Sequence, residues 1–360
     1  MLFKKANLLD KIITLLSDKK NAGTLKKLQQ DKRLSFDEKS STLTISLPFY
    51  APLWLAELQE KNSVKIHSLL GKALNWNIKH DVVALQSASS KTSLEKIKNI
   101  VVVASGKGGV GKSTVSVNLA LALSENGAQV GILDADIYGP SMPTLLGVKN
   151  AQPSSADGKL MLPIEAHGIV CNSIGFLVAE EDAMIWRGPM ASKALQQVLN
   201  ETDWPELDYL IVDMPPGTGD IQLTMSQHVP VSSAVIVTTP QDVALIDAKK
   251  GVTMFNKVDT HISGIIENMS LFTCSQCGHS EAIFGTGGGE KLAQQFDLPF
   301  LGRLPLHINY RQDSDEGNPT VSKSETVTLV KPYLMLAETL AINLYRDLKP
   351  ASQKINITEL

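Results

Sequence analysis

Residues 100–125 constrain this chain more than any other segment. Ile100 to Ala104 form an apolar run that reads as a buried β-strand, a glycine-rich turn follows directly, and VNLALALSEN after Ser116 carries apolar residues at helical spacing. In that strand–turn–helix context Gly106, Gly111, Lys112 and Ser113 satisfy the pattern G-x-x-x-x-G-K-[ST]. Glycines let backbone N–H groups turn inward around phosphate oxygens, and the start of the helix adds the positive end of its dipole. Gly106, Lys107, Gly108, Gly109, Val110 and Gly111 are therefore expected to wrap the phosphates of a nucleotide, with Lys112, Ser113 and Thr114 continuing into the helix. Lys112 would reach the β- and γ-phosphates, and Ser113 would ligate Mg²⁺.

Other strand ends carry acids that belong beside such a loop. In GILDADIYGPS, Asp134 and Asp136 put two carboxylates at one strand tip, which suits water activation or Mg²⁺ coordination. Asp134 also fits a structural part, as an Asx-turn or loop-capping residue. The run LDYLIVD ends in Asp213 and is followed by MPPGTGD. Asp213 would hold Mg²⁺ through water, and Gly217 is placed for its N–H to meet a γ-phosphate. Asn268 ends the strand GIIEN, where a turn asparagine is also common.

The remaining motif is Cys274-Ser-Gln-Cys277. Two thiolates at this spacing are half of a Cys₄ site, suited to zinc or to an iron–sulfur cluster. The chain has no second such pair, and its third cysteine, Cys171, lies in apolar IVCNSIGF and reads as a small buried hydrophobe. A two-fold dimer would supply four sulfurs; alternatively His279 would complete a zinc knuckle. A thioredoxin-type redox pair is the weaker reading, because no helix evidently opens at the motif.

With 360 residues and 43% hydrophobic content the chain can bury a large core and a smaller one. A net charge of −3, from 34 basic and 37 acidic residues, offers no electrostatic argument for nucleic acid or an anionic membrane as partner. No stretch reads as approaching the 18 or so apolar residues of a membrane span. Three cysteines without a disulfide framework, and an N-terminus too charged for a signal peptide, point to a cytoplasmic protein.

Residues 1–88 read as a small domain of order α-β-β-α-β: a helix over 5–19, strands over 33–38 and 42–48, a helix over 51–73 and a strand over 78–85. A polar linker is expected at 89–97. Residues 98–350 then alternate strand and helix, with strands at 100–104, 130–133, 210–212, 234–238, 264–267 and 300–303 and a last helix near 327–348. The fold class is α/β, a doubly wound, mostly parallel sheet that carries its ligands at the carboxyl ends of its strands. Residues 351–360 form a polar tail.

Lys107, which an ordinary phosphate loop does not need, resembles the signature lysine of the deviant Walker A ATPases, the ParA/MinD and nitrogenase-iron-protein group. The resemblance implies that two chains sandwich two ATP molecules and that Lys107 crosses to the partner's phosphates. It further implies that Asp136 orients the attacking water and that Asn268 contacts adenine, with the loop RLPLH (residues 303–307) packing on the base. SGKGGVGKST, LDADIYGPS, RGPM, VDMPPGTGD and ENMSLFTCSQCG together resemble the Mrp/ApbC proteins over about residues 98–348. Membership there implies an ATPase that carries a [4Fe–4S] cluster, bridged between two subunits of a homodimer by Cys274 and Cys277. Its partners would be cluster-assembly scaffold proteins and apo iron–sulfur proteins, with no nucleic acid and no membrane. Arg187 and Gly188 carry over without a role. Residues 1–88 resemble the iron–sulfur-assembly type of domain in outline only.

Three rivals remain on the residues. A ParA/MinD-like positioning ATPase would need a basic surface or tail, which SQKINITEL is not. A reductase of the nitrogenase-iron-protein type would need two separated cysteines per chain. An ATPase with a structural zinc knuckle needs metal analysis to separate.

Overall fold

The computed structural model describes residues 8–86, 94–155, 158–177, 188–217, 219, 222–223, 229–274, 276–323 and 327–351. The chain begins with helices α1 (Leu8–Leu16) and α2 (Ala22–Gln30), then strands β1 (Leu34–Asp37) and β2 (Thr42–Leu47). Helices α3 (Pro52–Glu60) and α4 (Ser63–Leu70) and strand β3 (Asn75–His80) follow. β1 runs antiparallel to β2 and β3 parallel to it, in the order β1-β2-β3. Two helices depart from the expected order. Helix α2 buries only Thr24, Leu25 and Leu28, too narrow a stripe to stand out among lysines and glutamines. The helix expected over 51–73 breaks because Lys61 is extended and Asn62 is left-handed, at φ 52°. The strand expected over 78–85 forms at 75–80 instead. Residues 89–93 of the expected linker lie outside the described residues.

The larger sheet is built on β5 (Ile97–Ala104), which follows the short strand β4 (Leu85–Gln86). After β5 come α5 (Lys112–Glu125), β6 (Val130–Asp134), α6 (Met142–Leu145), β7 (Ile164–Ala166), β8 (Ile169–Ser173), α7 (Gly188–Asn200) and β9 (Leu207–Asp213). Then come β10 (Ser233–Thr238), α8 (Asp242–Lys257), β11 (Ile262–Glu267), the short pair β12 (Phe272–Thr273) and β13 (Ser280–Glu281), and α9 (Gly288–Gln295). β14 (Phe300–Arg303), α10 (Ile308–Asp315), α11 (Val327–Asp347) and β15 (Lys349–Pro350), which pairs with β4, complete the elements.

The strand order is β14-β11-β10-β5-β9-β6-β8-β7, parallel throughout except for the edge strand β7. Parallel strands covered on both faces need apolar side chains on both, which is why β5 ends in the continuous run IVVVA without alternation. Val101 and Val103 pack on one face against α5 and α11, while Ile100, Val102 and Ala104 pack on the other against α7, α8 and α9. The sheet is doubly wound, as its sequence implied, and all six expected strands are present. Strands after β5 first go to one side of it and then, from β10, to the other. Such a switch opens a crevice at the carboxyl ends of the central strands.

Helix α11 corrects one expectation. It is 21 residues long, and its most apolar 18-residue window has a mean hydropathy of 1.2, enough by length and composition to cross a membrane, yet 56% of that window is buried in the fold. Lys331 and Glu338 interrupt its apolar run in the sequence. Glu338 is buried, and its carboxylate accepts the N–H groups of Leu53 (2.6 Å) and Trp54 (2.9 Å) at the start of α3. Burial raises this carboxyl above its usual range, and the two N–H donors pull it back. At the far end of α11, Lys27 donates to the Leu348 carbonyl at 2.7 Å and Tyr345 donates to Asp31 at 2.6 Å. These contacts seat residues 8–60 on the body of the sheet.

Candidate functional site

The loop between β5 and α5 lies in the crevice, and packing explains its glycines. A Cβ on Gly106 would come within 2.1 Å of the Asp247 backbone, because α8 passes directly over the loop. Gly111 is left-handed at φ +80°, and a Cβ there would also lie 2.4 Å from Asn268 Nδ2. The Asn268 amide donates to the Val110 carbonyl at 2.8 Å, so the end of β11 anchors the loop. Ser105 Oγ donates to the Lys107 carbonyl at 2.9 Å. Gly108 and Gly109 are exposed, and Thr114 sits in the first turn of α5.

Lys112 is the cationic centre of a buried charge cluster. Its Nζ lies 2.8 Å from Asp213 Oδ2, 3.1 Å from Ser113 Oγ and 3.8 Å from Asp136 Oδ2. Ser113 Oγ donates to Asp213 Oδ2 and Ser116 Oγ lies against Asp213 Oδ1, each at 2.6 Å. Ser116 was not read as a site residue; its signal is its place one helical turn beyond Lys112 on the same face. Ser113 and Asp213 together offer the sparse oxygen set that Mg²⁺ takes when phosphates and water complete its shell.

The two aspartates after β6 divide their work. Asp134 is fully buried and accepts the N–H groups of Asp136 (3.1 Å), Ser141 (2.9 Å) and Met142 (2.9 Å), with the Ser173 hydroxyl at 3.1 Å. Burial and the Asp213 charge push its carboxyl up to about 7 against those donors. Its oxygens are spent on holding residues 135–142, the loop-capping alternative. Asp136 is nearly buried; desolvation raises its carboxyl to about 6, opposed by Lys112 and reinforced by Asp213.

Several expected residues are engaged otherwise in this conformation. The N–H of Gly217, at φ +97°, donates to the Ser105 carbonyl at 2.9 Å, so a phosphate contact requires that bond to exchange. Arg303 pairs with Glu267 at 3.2 Å and with Glu290, and His307 Nδ1 accepts from Asn309 N–H as the cap of α10. Lys107 is half-buried with no carboxylate within 4 Å among the described residues. Arg187, Thr218 and Asp220 lie outside the described residues, and Gly188 opens α7.

The cysteine pair sits on the turn between β12 and β13, closed by Cys274 N–H to the His279 carbonyl (2.8 Å) and Gly278 N–H to the Cys274 carbonyl (2.9 Å). Cys277 is exposed and Cys274 half-buried. The N–H groups of Cys277 and Gln276, with the Cys277 side chain, hold the Cys274 thiol below its usual range. Among the described residues no group of three His, Cys, Asp or Glu side chains is arranged to hold a metal ion, so His279 does not join the pair as a third ligand. Cys171 is buried on β8, its thiol pushed up to about 12 by desolvation and Asp134.

Glu267, the last residue of β11, was not read as a site residue either. It is fully buried, pairs with Arg303 across the β11–β14 register, and accepts the Gly289 N–H at 2.7 Å. That bond closes the base of the segment carrying both cysteines. Asn268, the next residue, holds the phosphate loop, so loop and thiols hang from one strand end.

A ParA model, described as the NUBPL iron-transfer P-loop NTPase, matches residues 96–341. An iron-sulfur cluster carrier protein of Escherichia coli (strain K12) is 52% identical over 328 residues, covering 91% of this chain and 88% of its own length. The iron-sulfur cluster transfer protein NUBPL of Mus musculus is 50% identical over 246 residues, covering 68% of this chain and 77% of its own. Among solved structures, a nucleotide-binding protein from Archaeoglobus fulgidus in complex with ADP aligns with a TM-score of 0.57 at 37% identity, covering 64% of this chain and 90% of that one. The septum site-determining protein MinD of Pyrococcus horikoshii, complexed with Mg-ADP, shares the fold at a TM-score of 0.51 and 24% identity, over 66% of this chain and 94% of its own.

Proposed function

The chain belongs to the NUBPL iron-transfer family of P-loop NTPases, and from that premise we propose that it is a cytoplasmic, ATP-hydrolysing carrier that holds a [4Fe–4S] cluster between two copies of itself and hands it to apo iron–sulfur proteins. Cluster-assembly scaffold proteins would load it. The observation that carries this reading is the thiol pair: Cys277 stands exposed and Cys274 half-buried, with no third ligand beside them among the described residues. A cluster ordinarily takes four thiolates, and two-fold symmetry turns one pair into four. The same shortage of a third ligand weighs against a zinc knuckle within one chain. Residues 1–88 are the small domain of this proposal, and 98–350 the ATPase domain.

In the proposed mechanism the N–H groups of residues 106–111 and the first turn of α5 cradle the phosphates. Ser113 and Asp213 would hold Mg²⁺, which would supply charge neutralisation on the transferred phosphoryl group. Lys112 moves its charge from the two aspartates toward the γ-phosphate, and Gly217 exchanges its bond to Ser105 for a phosphate oxygen. Asp136 accepts a hydrogen bond from the attacking water. Asn268 lies beside the base while its amide holds the loop. Anaerobic supply of ferrous iron and sulfide should give a broad visible absorbance with about four irons per two chains; a colourless protein that takes up only zinc would overturn the carrier reading.

Two expected results test the ATPase half. Asp136 must be ionised to orient water, and its carboxyl titrates at about 6. The kcat/KM for ATP should therefore climb as pH rises through about 6 and level off above it. Asp136→Asn should bind nucleotide, hydrolyse it at least ~10²-fold more slowly and lose that rise; an unchanged profile removes Asp136 from this role. Lys107→Ala should bind ATP yet hydrolyse it poorly, and mixing it with an Asp136→Asn chain that keeps Lys107 should restore part of the activity. No recovery in demonstrated heterodimers would place the action of Lys107 within its own chain.

A further inference from the structure

Strand β3 and helix α4 carry a surface that the nucleotide loop and the thiol pair leave unused. β3 is an edge strand, paired only with β2 among the described residues. Asn75 donates to the Ser41 carbonyl and Asp81 to the Leu47 carbonyl, both on the β2 side. The strand repeat of two therefore turns the N–H and C=O groups of Trp76, Ile78 and His80 outward. An edge of this kind is a template for another strand.

Beside that edge runs a groove of about 380 Å³ whose walls include Val64, Ile66, His67, Leu74 and Trp76. Val64 is 78% exposed, the most exposed of the large apolar side chains described. Lys65 and Lys72 adjoin lining residues in the chain and Lys79 stands on β3; none of the three has a carboxylate within 4 Å among the described residues. Glu60 flanks the groove at the end of α3, and Asp81 is held by Arg33 at 3.5 Å. Residues 1–86 contain 14 of the chain's 34 Lys and Arg but only 8 of its 37 Asp and Glu. This unit is basic while the rest of the chain is acidic.

We propose that the β3 edge and the Val64–Trp76 groove form a docking site for an acidic, extended segment of a partner protein, which adds to the sheet as a fourth strand. Outward main-chain groups supply the pairing, the groove takes an apolar side chain from alternate positions, and the lysines select acidic residues on the others. The site does not depend on the cluster chemistry, since none of its residues belongs to the nucleotide or thiol constellations.

The test uses the full-length protein and a fluorescein-labelled decapeptide alternating Glu and Val, followed by anisotropy. Saturable binding is expected, weakening about tenfold or more when alternate peptide amides are N-methylated, because pairing needs those donors. Val64→Glu should weaken it about tenfold or more, and so should Lys65→Glu combined with Lys72→Glu. All these positions are outside the ATPase site, so hydrolysis should stay at the wild-type rate and certify the fold. The proposal is overturned by equal binding of the N-methylated peptide, by equal binding of unstructured polyglutamate, by duplex DNA in place of the peptide, or by an undiminished Val64→Glu variant.

Discussion

Lys112→Ala is expected to abolish ATP hydrolysis, with steady-state phosphate release falling by about 10³-fold or more. The transferring phosphoryl group loses its nearest fixed positive charge, and a single preorganised donor is worth about 10²–10³ in kcat elsewhere. The structure adds a second consequence. Lys112 is the counter-charge of Asp213 at 2.8 Å and of Asp136 at 3.8 Å inside a nearly closed cluster. Removing it leaves buried carboxylates unpaired, a change that costs about 3 kcal/mol or more in buried pairs of this kind. The loss should depend on pH. Asp134 and Asp136 already titrate near 7 and near 6, and Lys112 is among the groups that lower both. Without it, both carboxyls move further up. A carboxyl whose folded value exceeds its unfolded one favours the unfolded state increasingly as pH rises between the two, and contributes no penalty below both. The variant should thus lie closer to the wild type in urea melts at about pH 5 than at about pH 8. Turnover within tenfold of wild type in a folded variant would remove Lys112 from the chemistry. A stability loss that shrinks with rising pH would contradict the charge account.

What the sequence made legible follows from range. The phosphate loop, β5 and α5 are one local unit, and strands buried on both faces announce themselves as continuous apolar runs. The Asp213 strand is legible for the same reason. Ser116, Glu267 and Glu338 were not, because each acts through a partner far away in the chain: Asp213, Arg303 with Gly289, and the start of α3. Gly217 shows a different limit. Its motif indicates a switch loop, but only coordinates reveal that its N–H is now bonded to Ser105. The break at Asn62 falls in the polar run 59–63, which in sequence reads equally as the solvent face of one continuous helix, while one left-handed residue is enough to redirect the chain.

Cys274→Ala and Cys277→Ala should each lose the cluster and the ability to activate an apoprotein, while Cys171→Ala should keep both. The three thiols occupy unlike surroundings. Cys171 is sealed in the core beside Asp134, where the thiolate needed for ligation is strongly disfavoured. Cys274 lies under N–H groups that favour its thiolate, and Cys277 opens to solvent. That exposure suits a carrier, since a cluster enclosed by protein could not be passed on by thiol exchange. The phosphate loop is bonded to the base of the cysteine segment at Asn268, away from the thiols, so ATP hydrolysis should largely survive in both variants. Iron and sulfide per chain, measured with oligomeric mass, decide the arrangement. About four irons on two chains, lost together with the bridged dimer in either variant, is the expected result. About four irons on a monomer, or full retention without Cys277, would require ligands that the described residues do not bring together and would defeat the bridged site.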